Sequence, residues 1–516
     1  DYGPLGAELK RNVKELWWRE MVLQREDVAG LEASIIMSPK IWEASGHVAT
    51  FADPMIDCKT CKGRFRADQI SEVSCPQKPG KTVSECAGEK TEPRPFNLML
   101  QTYLGPIQSE DNIAYLRPET AQAIFAQFKN VLETSRQKVP FGIAQVGKAF
   151  RNEVTPRNFT FRSREFEQME LEFFIKPDEV IEAIHGKVAS AAEIRSSGRE
   201  SAHSENQSRL TSDATDNWGW EAWHKYWVEE RVKFYEGIGL SRETLGFHHQ
   251  TLAELAHYAR ACTDILFKFP FSKKDADGNV AGDELEGIAA RSDFDLSQHQ
   301  RFSGKPMGVF DEELRAAWGK LPKEKADELW KRYYENRKRY LEKSGVESEA
   351  AQKQATEDAN GLAKGQYIPH VIEPSAGVDR LILALIANAY SEVTETDEKG
   401  KSETRVTMKF HPRVAPIKVA VLPLLKNKPE IVKKAQAVRD LLRPWMNVFY
   451  DEAGSIGRRY ARQDEAGTPF CVTIDFDTLG EKPELLDTVT IRYRDDGKQE
   501  RLKISELLNF LLSKIR

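Results

Sequence analysis

The stretch Phe150-Arg151-Asn152-Glu153, followed after a short gap by Arg162-Ser163-Arg164-Glu165-Phe166-Glu167-Gln168-Met169-Glu170-Leu171-Glu172, constrains this chain more than any other. Side chains alternate faces along a strand, so an extended second arm projects Arg162, Arg164, Phe166, Gln168 and Glu170 from one side. Thr155-Pro156-Arg157-Asn158 between the arms is turn chemistry, which makes the pair an antiparallel hairpin with Arg151 and Glu153 on the same side. A face of cations, an aromatic ring, an amide and a carboxylate is poor core. Guanidinium groups fork onto phosphate oxygens, and an aromatic ring between them offers a stacking plate for a purine. The plain alternative is a solvated, salt-bridged hairpin.

The rest of the chain supplies the context. Its 516 residues suit roughly two to four domains, and 40% apolar with 30% charged residues describes a globular protein rather than a disordered one. No apolar run is long enough to cross a membrane; Leu381 to Ala389 is helix-core sized. No signal peptide is apparent, and six cysteines in so long a chain do not make a secreted disulfide framework, so a reducing, cytoplasmic setting is expected. A net charge of −5 argues against a protein that coats nucleic acid but permits a regional basic contact. Opening on Asp1, the chain is read as cut at its N-terminus.

Leu9, Val13, Leu16, Trp17 and Met21 recur at helical spacing over about Ala7 to Val22, and Ala33 to Pro39 reads as a strand closed by proline. Cys58-Lys59-Thr60-Cys61-Lys62-Gly63 is a metal-knuckle pattern; Cys75 and Cys86 complete four thiolates for a structural zinc, with an irregular second half. The alternative is two buried structural cysteines and a pair of loop thiols. Leu116-Arg117-Pro118-Glu119-Thr120-Ala121-Gln122 breaks at proline where Glu119 meets a helix start, a place that favours a carboxylate on dipole grounds alone. Residues 177–217 form a Ser-rich insert around Arg195 to Ser201, and His257 reads equally as structural or functional. Glu284 and Glu286 share one face of a strand running toward Arg291, a pair suited to magnesium or, more plainly, to an exposed edge. The charged segment 300–366 reads as a helical insert outside the sheet core, in contact with an RNA acceptor end or merely solvated. Ile368 to Arg380 is a strand, a Pro/Gly turn and a helix start that puts Arg380 where anions are favoured. From Pro416 strands and helices alternate, with Lys and Arg slightly ahead of Asp and Glu.

The hairpin pattern of Phe-Arg-x-Glu and Arg-x-x-x-Phe resembles motif 2 of class II aminoacyl-tRNA synthetases, and the helix and strand near the N-terminus resemble motif 1. Leu116 to Gln122, the Glu-Leu-x-Gly-Ile-Ala stretch from Glu284 and the Glu-Pro-Ser-x-Gly of Glu373 to Gly377 bring the likeness closest to the homodimeric glycyl-tRNA synthetases. The resemblance implies an α/β chain. Residues 1–415 would form an α+β catalytic domain with an antiparallel sheet flanked by helices and a Cys-rich insert at 57–92, and residues 416–516 an α/β anticodon-binding domain. It implies a homodimer that joins glycine to tRNA(Gly) using ATP and Mg2+. By the same resemblance Arg151 holds the glycine carboxylate and α-phosphate, Arg162 and Arg380 the triphosphate, Phe166 the adenine ring and Glu153 its amino group. Glu284 and Arg291 serve the ATP site, with Glu284 a magnesium ligand. Glu119, Glu373 and Ser375 surround the ammonium group, ordered by Glu170. Two rivals are a non-catalytic, synthetase-like nucleic-acid-binding protein and a class II ligase for another amino acid.

Overall fold

The computed structural model describes residues 1–516 except 155, 157, 190–214, 257, 275–279 and 397–401. Thr155 and Arg157 of the hairpin turn, the Arg195 to Ser201 tract and His257 therefore lie outside the described residues.

Seven strands build the main sheet: β1 Val28–Gly30, β2 Phe141–Phe150, β3 Glu165–Ile175, β4 Leu245–His249, β5 Ala261–Phe267, β6 Asp283–Ser292 and β7 His370–Gly377. Their order is β1-β2-β3-β7-β6-β5-β4, antiparallel throughout except for the parallel β1–β2 pair. The hairpin forms as its sequence dictates, with β2 and β3 in register from Phe141↔Phe174 to Phe150↔Glu165. Its second arm, however, becomes a strand only at Glu165. Arg162 and Arg164 precede it, so they do not share the alternation that sets Phe166, Gln168, Glu170, Glu172 and Phe174 on one face.

Met169, Leu171 and Phe173 point the other way, into the larger core. There α1 (Pro4–Trp18) delivers Leu9, Val13, Leu16 and Trp17. The helix begins earlier than its apolar spacing indicates, because Pro4 fits the first helical turn, and it passes into a π-helical stretch at Arg19–Leu23. The strand expected over 33–39 shrinks to Ile36–Met37, since Pro39 opens a short helix, Pro39–Ala44. On the site face, α2 (Ala121–Thr134) sets Phe125 and Phe128 against Phe141, Ile143 and Phe174. Next come α3 (Trp220–Gly237) and α4 (Phe294–Ser303).

The charged insert is not peripheral. Its helices α5 (Lys323–Lys343) and α6 (Ser348–Leu362) bury Leu329, Tyr333 and Leu362 in the same cluster as Phe125 and Phe174. An apolar minority at four-residue spacing suffices, because Leu329, Tyr333, Arg337 and Leu341 form one stripe. Helix α7 (Val378–Ala389) then follows β7 directly.

The C-terminal sheet contains β8 Val419–Pro423, β9 Val448–Tyr450, β10 Phe470–Ile474, β11 Thr488–Tyr493 and β12 Gln499–Lys503. Its order is β9-β8-β10-β11-β12, and α8 (Pro429–Leu442), α9 (Ile456–Ala466) and α10 (Ile504–Ile515) pack on it. The parallel strands and helices fall where their apolar patterns place them. The antiparallel pair β11 and β12, rich in Thr, Arg and Glu, carries no comparable apolar run.

Candidate active site

Four neighbouring strands and two helix starts supply the site. Proline at position 118 ends regular structure after Ile113–Leu116, and α2 starts at Ala121, so Glu119 sits in the turn between them. Its carboxylate lies 3.3 Å from His47 Nε2 and accepts from Gln122 Nε2 at 3.1 Å. Burial would raise its pKa, but His47, Arg291 and the Gln122 hydrogen bond outweigh that and hold it well below the ordinary carboxylate range.

Arg291, at the end of β6, is buried and divides its guanidinium. Nε and Nη2 donate to Asp295 at 2.8 and 3.0 Å, and Nη1 donates to Glu373 Oε1 at 2.7 Å. Its plane lies over Tyr258 at 4.0 Å. Glu373 on β7 is pushed up to about 7, by burial first, against the lowering effect of Arg291. Two residues on, Ser375 Oγ donates to Glu170 Oε1 at 2.7 Å. Glu170 also accepts from the Thr120 backbone N–H at 3.0 Å and from Gln168 Nε2 at 2.8 Å. Burial and then Glu119 raise its pKa. Glu119, Glu170, Arg291, Glu373 and Ser375 thus form one connected polar pocket.

The nucleotide-type residues adjoin it. Arg151 Nε donates to the carbonyl of Pro118, next to Glu119, while its guanidinium lies 5.4 Å from the Phe166 ring and 5.5 Å from Phe51. Arg162 Nη1 approaches Glu153 at 3.8 Å, and Arg164 Nε donates to the Glu153 carbonyl at 3.0 Å. Arg380 occupies the first turn of α7, 4.6 Å over Phe161, with Nη1 3.3 Å from Glu284 Oε2. Asp379 fixes that turn by accepting from Tyr2 Oη at 2.6 Å, Lys10 Nζ at 2.7 Å and the Glu167 backbone N–H at 2.9 Å.

Glu284 and Glu286 do not share a face. The ladder between β5 and β6 slips at Ile265/Leu266, leaving Leu285 as an extra residue and reversing the alternation. Glu284 stays half-exposed beside Arg380, whereas Glu286 is buried under α3, held by Arg231 Nε at 2.7 Å and by Tyr235 Oη. A two-carboxylate magnesium site on that strand is excluded by this geometry.

His47, Tyr258, Asp295, Gln122 and Phe51 are site residues that sequence reading did not assign. Asp295 lies close to Arg291 in sequence, but a strand end and a helix start separate them, so its contact too is set by the fold. His47 reaches Glu119 only through the tertiary fold.

Away from this pocket, the four cysteines gather in a small lobe whose buried core is Ile56, Cys58, Phe65 and Val83. Backbone N–H groups, Cys61 first, together with the neighbouring Cys61 and Cys86 thiols, push Cys58 down to about 7, and backbone N–H groups, Gln77 first, lower Cys75. As the side chains stand, no group of three or more His, Cys, Asp or Glu among the described residues is disposed to hold a metal ion.

Residues 105–389 match the family model described as tRNA synthetase class II core domain (G, H, P, S and T), and residues 418–514 match that of the anticodon binding domain. The chain is 41% identical to the glycine–tRNA ligase of Thermobifida fusca over 525 residues, covering 100% of this chain and 92% of the relative. It is 40% identical to that of Streptomyces coelicolor, over 100% and 92% of the two chains, and 39% identical to that of Thermus thermophilus, over 100% and 93%. Similar along its whole length to these enzymes, the chain belongs to the glycine–tRNA ligase family of class II aminoacyl-tRNA synthetases.

Proposed function

We propose that the pocket around Glu119 and Glu373 receives the ammonium group of glycine while Arg151 meets its carboxylate, activating glycine with ATP before transfer to tRNA(Gly). The observation that carries this reading is the polarity of the site. Fixed carboxylates stand at one end, and a cation carried on the Pro118 carbonyl stands beside them, matching the two ends of an amino acid. Adenylation is an in-line displacement at the α-phosphorus, so positioning and charge neutralisation dominate. No general base is needed in that step, because a carboxylate is already the nucleophile. Arg162 and Arg380 would bind the triphosphate, Phe166 the adenine ring and Glu153 its amino group. Bound Mg2+, with Glu284 as the remaining ligand candidate, would supply further neutralisation of phosphate charge. A glycine pocket has no side chain to grip and excludes larger amino acids sterically, by Ser375 and Glu373 beside the Cα position.

Glycine-dependent ATP–pyrophosphate exchange tests the assignment. Arg151→Gln is expected to lower exchange by roughly a thousandfold with an unchanged melting temperature; retained exchange removes Arg151 from its role. Glu373→Gln is expected to raise the KM for glycine and spare that for ATP.

Three further readings belong to this proposal. Zinc would be held by Cys58, Cys61, Cys75 and Cys86, a donor set whose chemistry fits it. A homodimer would form through the N-terminal helix and strand, where Leu23 and Ile36 stand exposed, and the segment after Leu100–Tyr103, where Leu104 and Ile107 do. A cytoplasmic setting fits a chain in which no described helix is long and apolar enough to cross a membrane.

A further inference from the structure

Glu170 and Glu172 sit two residues apart on the site face of β3, at 2% and 0% exposure, yet their surroundings differ completely. Glu170 is held by Thr120, Gln168 and Ser375. Neither oxygen of Glu172 has a hydrogen-bond partner. The β3–β7 register pairs Glu170 with Ser375 and Phe173 with Ile372, which brackets Glu172 opposite Glu373. The charged groups that face it are Glu373 from β7, Glu170 from its own strand, Arg291 from β6 and Asp295 from α4. Glu119, from the turn before α2, adds its charge at Glu170 and Glu373. Arg291 directs its hydrogen bonds to Asp295 and Glu373, not to Glu172.

A carboxylate sealed from water with no donor is driven to its neutral form. Burial and the neighbouring Glu373 act together, raising Glu172 well above the ordinary carboxyl range. A neutral carboxyl carries one O–H donor. Across the ladder, Glu373 uses Oε1 for Arg291. We infer that Glu172 is a proton-bearing positioning residue beneath the glycine pocket, donating to Glu373 so that the two share a single negative charge aimed at the substrate ammonium. This rests on the reading of Glu373 given above. Without that proton the pocket would hold one more buried negative charge; without the donor, Glu373 would be steered by Arg291 alone.

Glu172→Gln preserves shape and donor, while Glu172→Leu removes the donor. In glycine-dependent exchange with the full chain, Glu172→Gln is expected to keep the KM for glycine within about twofold, and Glu172→Leu to raise it about tenfold with the KM for ATP unchanged. A carboxyl raised on folding binds its proton in the folded state, so its stabilising effect is lost as pH rises. The melting temperature of Glu172→Gln should therefore fall less steeply than wild type between about pH 6 and pH 9. A glycine KM raised equally by both variants means that an ionised Glu172 is required and overturns the inference; so does a Glu172→Leu variant with an unchanged KM. If Glu172→Leu does not melt cooperatively, the infrared difference between wild type and Glu172→Gln decides, since no protonated carboxylic C=O band at neutral pH overturns it. Glu373→Gln measured alongside separates the two failures: an unchanged glycine KM there removes the pocket assignment itself, whereas a raised one with silent Glu172 variants removes only the role of Glu172.

Discussion

Arg291 shows how one buried cation organises several carboxylates. It forks onto Asp295 and still reaches Glu373, a geometry that a lysine's point charge cannot reproduce. The consequence is chemical: Glu373 stays near the threshold of ionisation, pushed up to about 7 by burial. Below that pH it takes a proton and ceases to attract an ammonium group. Hence the KM for glycine in pyrophosphate exchange should rise as pH falls, by roughly tenfold from pH 8 to pH 6, while the KM for ATP changes little. A pH-independent glycine KM would place the ammonium elsewhere. Much of this residue set was legible. Glu119, Arg291, Glu373 and Ser375 announce themselves by motif; Asp295 does not, because Arg291 ends a strand and Asp295 opens the next helix, so no single periodicity links them. His47 was not, because a histidine 72 positions from Glu119 in sequence meets it through folding alone.

Elements explain two of the misreadings. A single bulge at Leu285 sends Glu286 to Arg231, so strict alternation, valid along β3, fails along β6. Nothing in the residue types around Leu285 marks an extra residue in the ladder. Likewise, composition suggested a solvated insert, yet α5 brings Arg337 to Asp293, Ser297 and Asp358, and Tyr340 Oη to Ser292 Oγ at 2.6 Å, beside Arg291. Ser292 holds a positive φ of 56°, a conformation its surroundings must impose. Replacing Arg337 with Met leaves Asp293 buried without its ion-pair partner. A loss of about 3–5 kcal/mol is expected from the breaking of such a pair, read by denaturant unfolding, together with a raised glycine KM. The Cys-rich lobe yields an element-scale prediction of a different kind. Four buried residues are too small a core to hold a lobe without a staple. Metal analysis should therefore find about one zinc per chain, and chelation should expose this lobe to protease before the main sheet unfolds. A chain purified without zinc that resists protease equally would leave the thiols as a self-paired cluster.

At the scale of the whole molecule, the proposed contact between two copies and the chemistry of the pocket share a backbone. Ile36–Met37 pairs with Ile113–Leu116, the strand that runs directly into Pro118 and Glu119. The same short sheet ends in Leu100–Tyr103, beyond which Leu104 and Ile107 are 49% and 67% exposed. Pro39–Ala44 buries Trp42, whose ring lies edge-on to His47 at 5.6 Å, and His47 contacts Glu119. Exposed apolar side chains on such a sheet are the kind of surface a symmetry mate would cover. If a second copy covers it, oligomerisation orders the turn that presents Glu119, and dimer dissociation must weaken glycine activation as well as change mass. Charge is placed on exposed side chains, as in Leu104→Asp with Ile107→Asp, neither of which belongs to a buried core cluster. Sedimentation should show wild type near twice the chain mass and the double variant near the chain mass, with the glycine KM of the variant raised at low enzyme concentration. Equal sedimentation of the two proteins would show that these residues are not the interface, and a monomer with an unchanged glycine KM would sever the proposed link between the contact and Glu119.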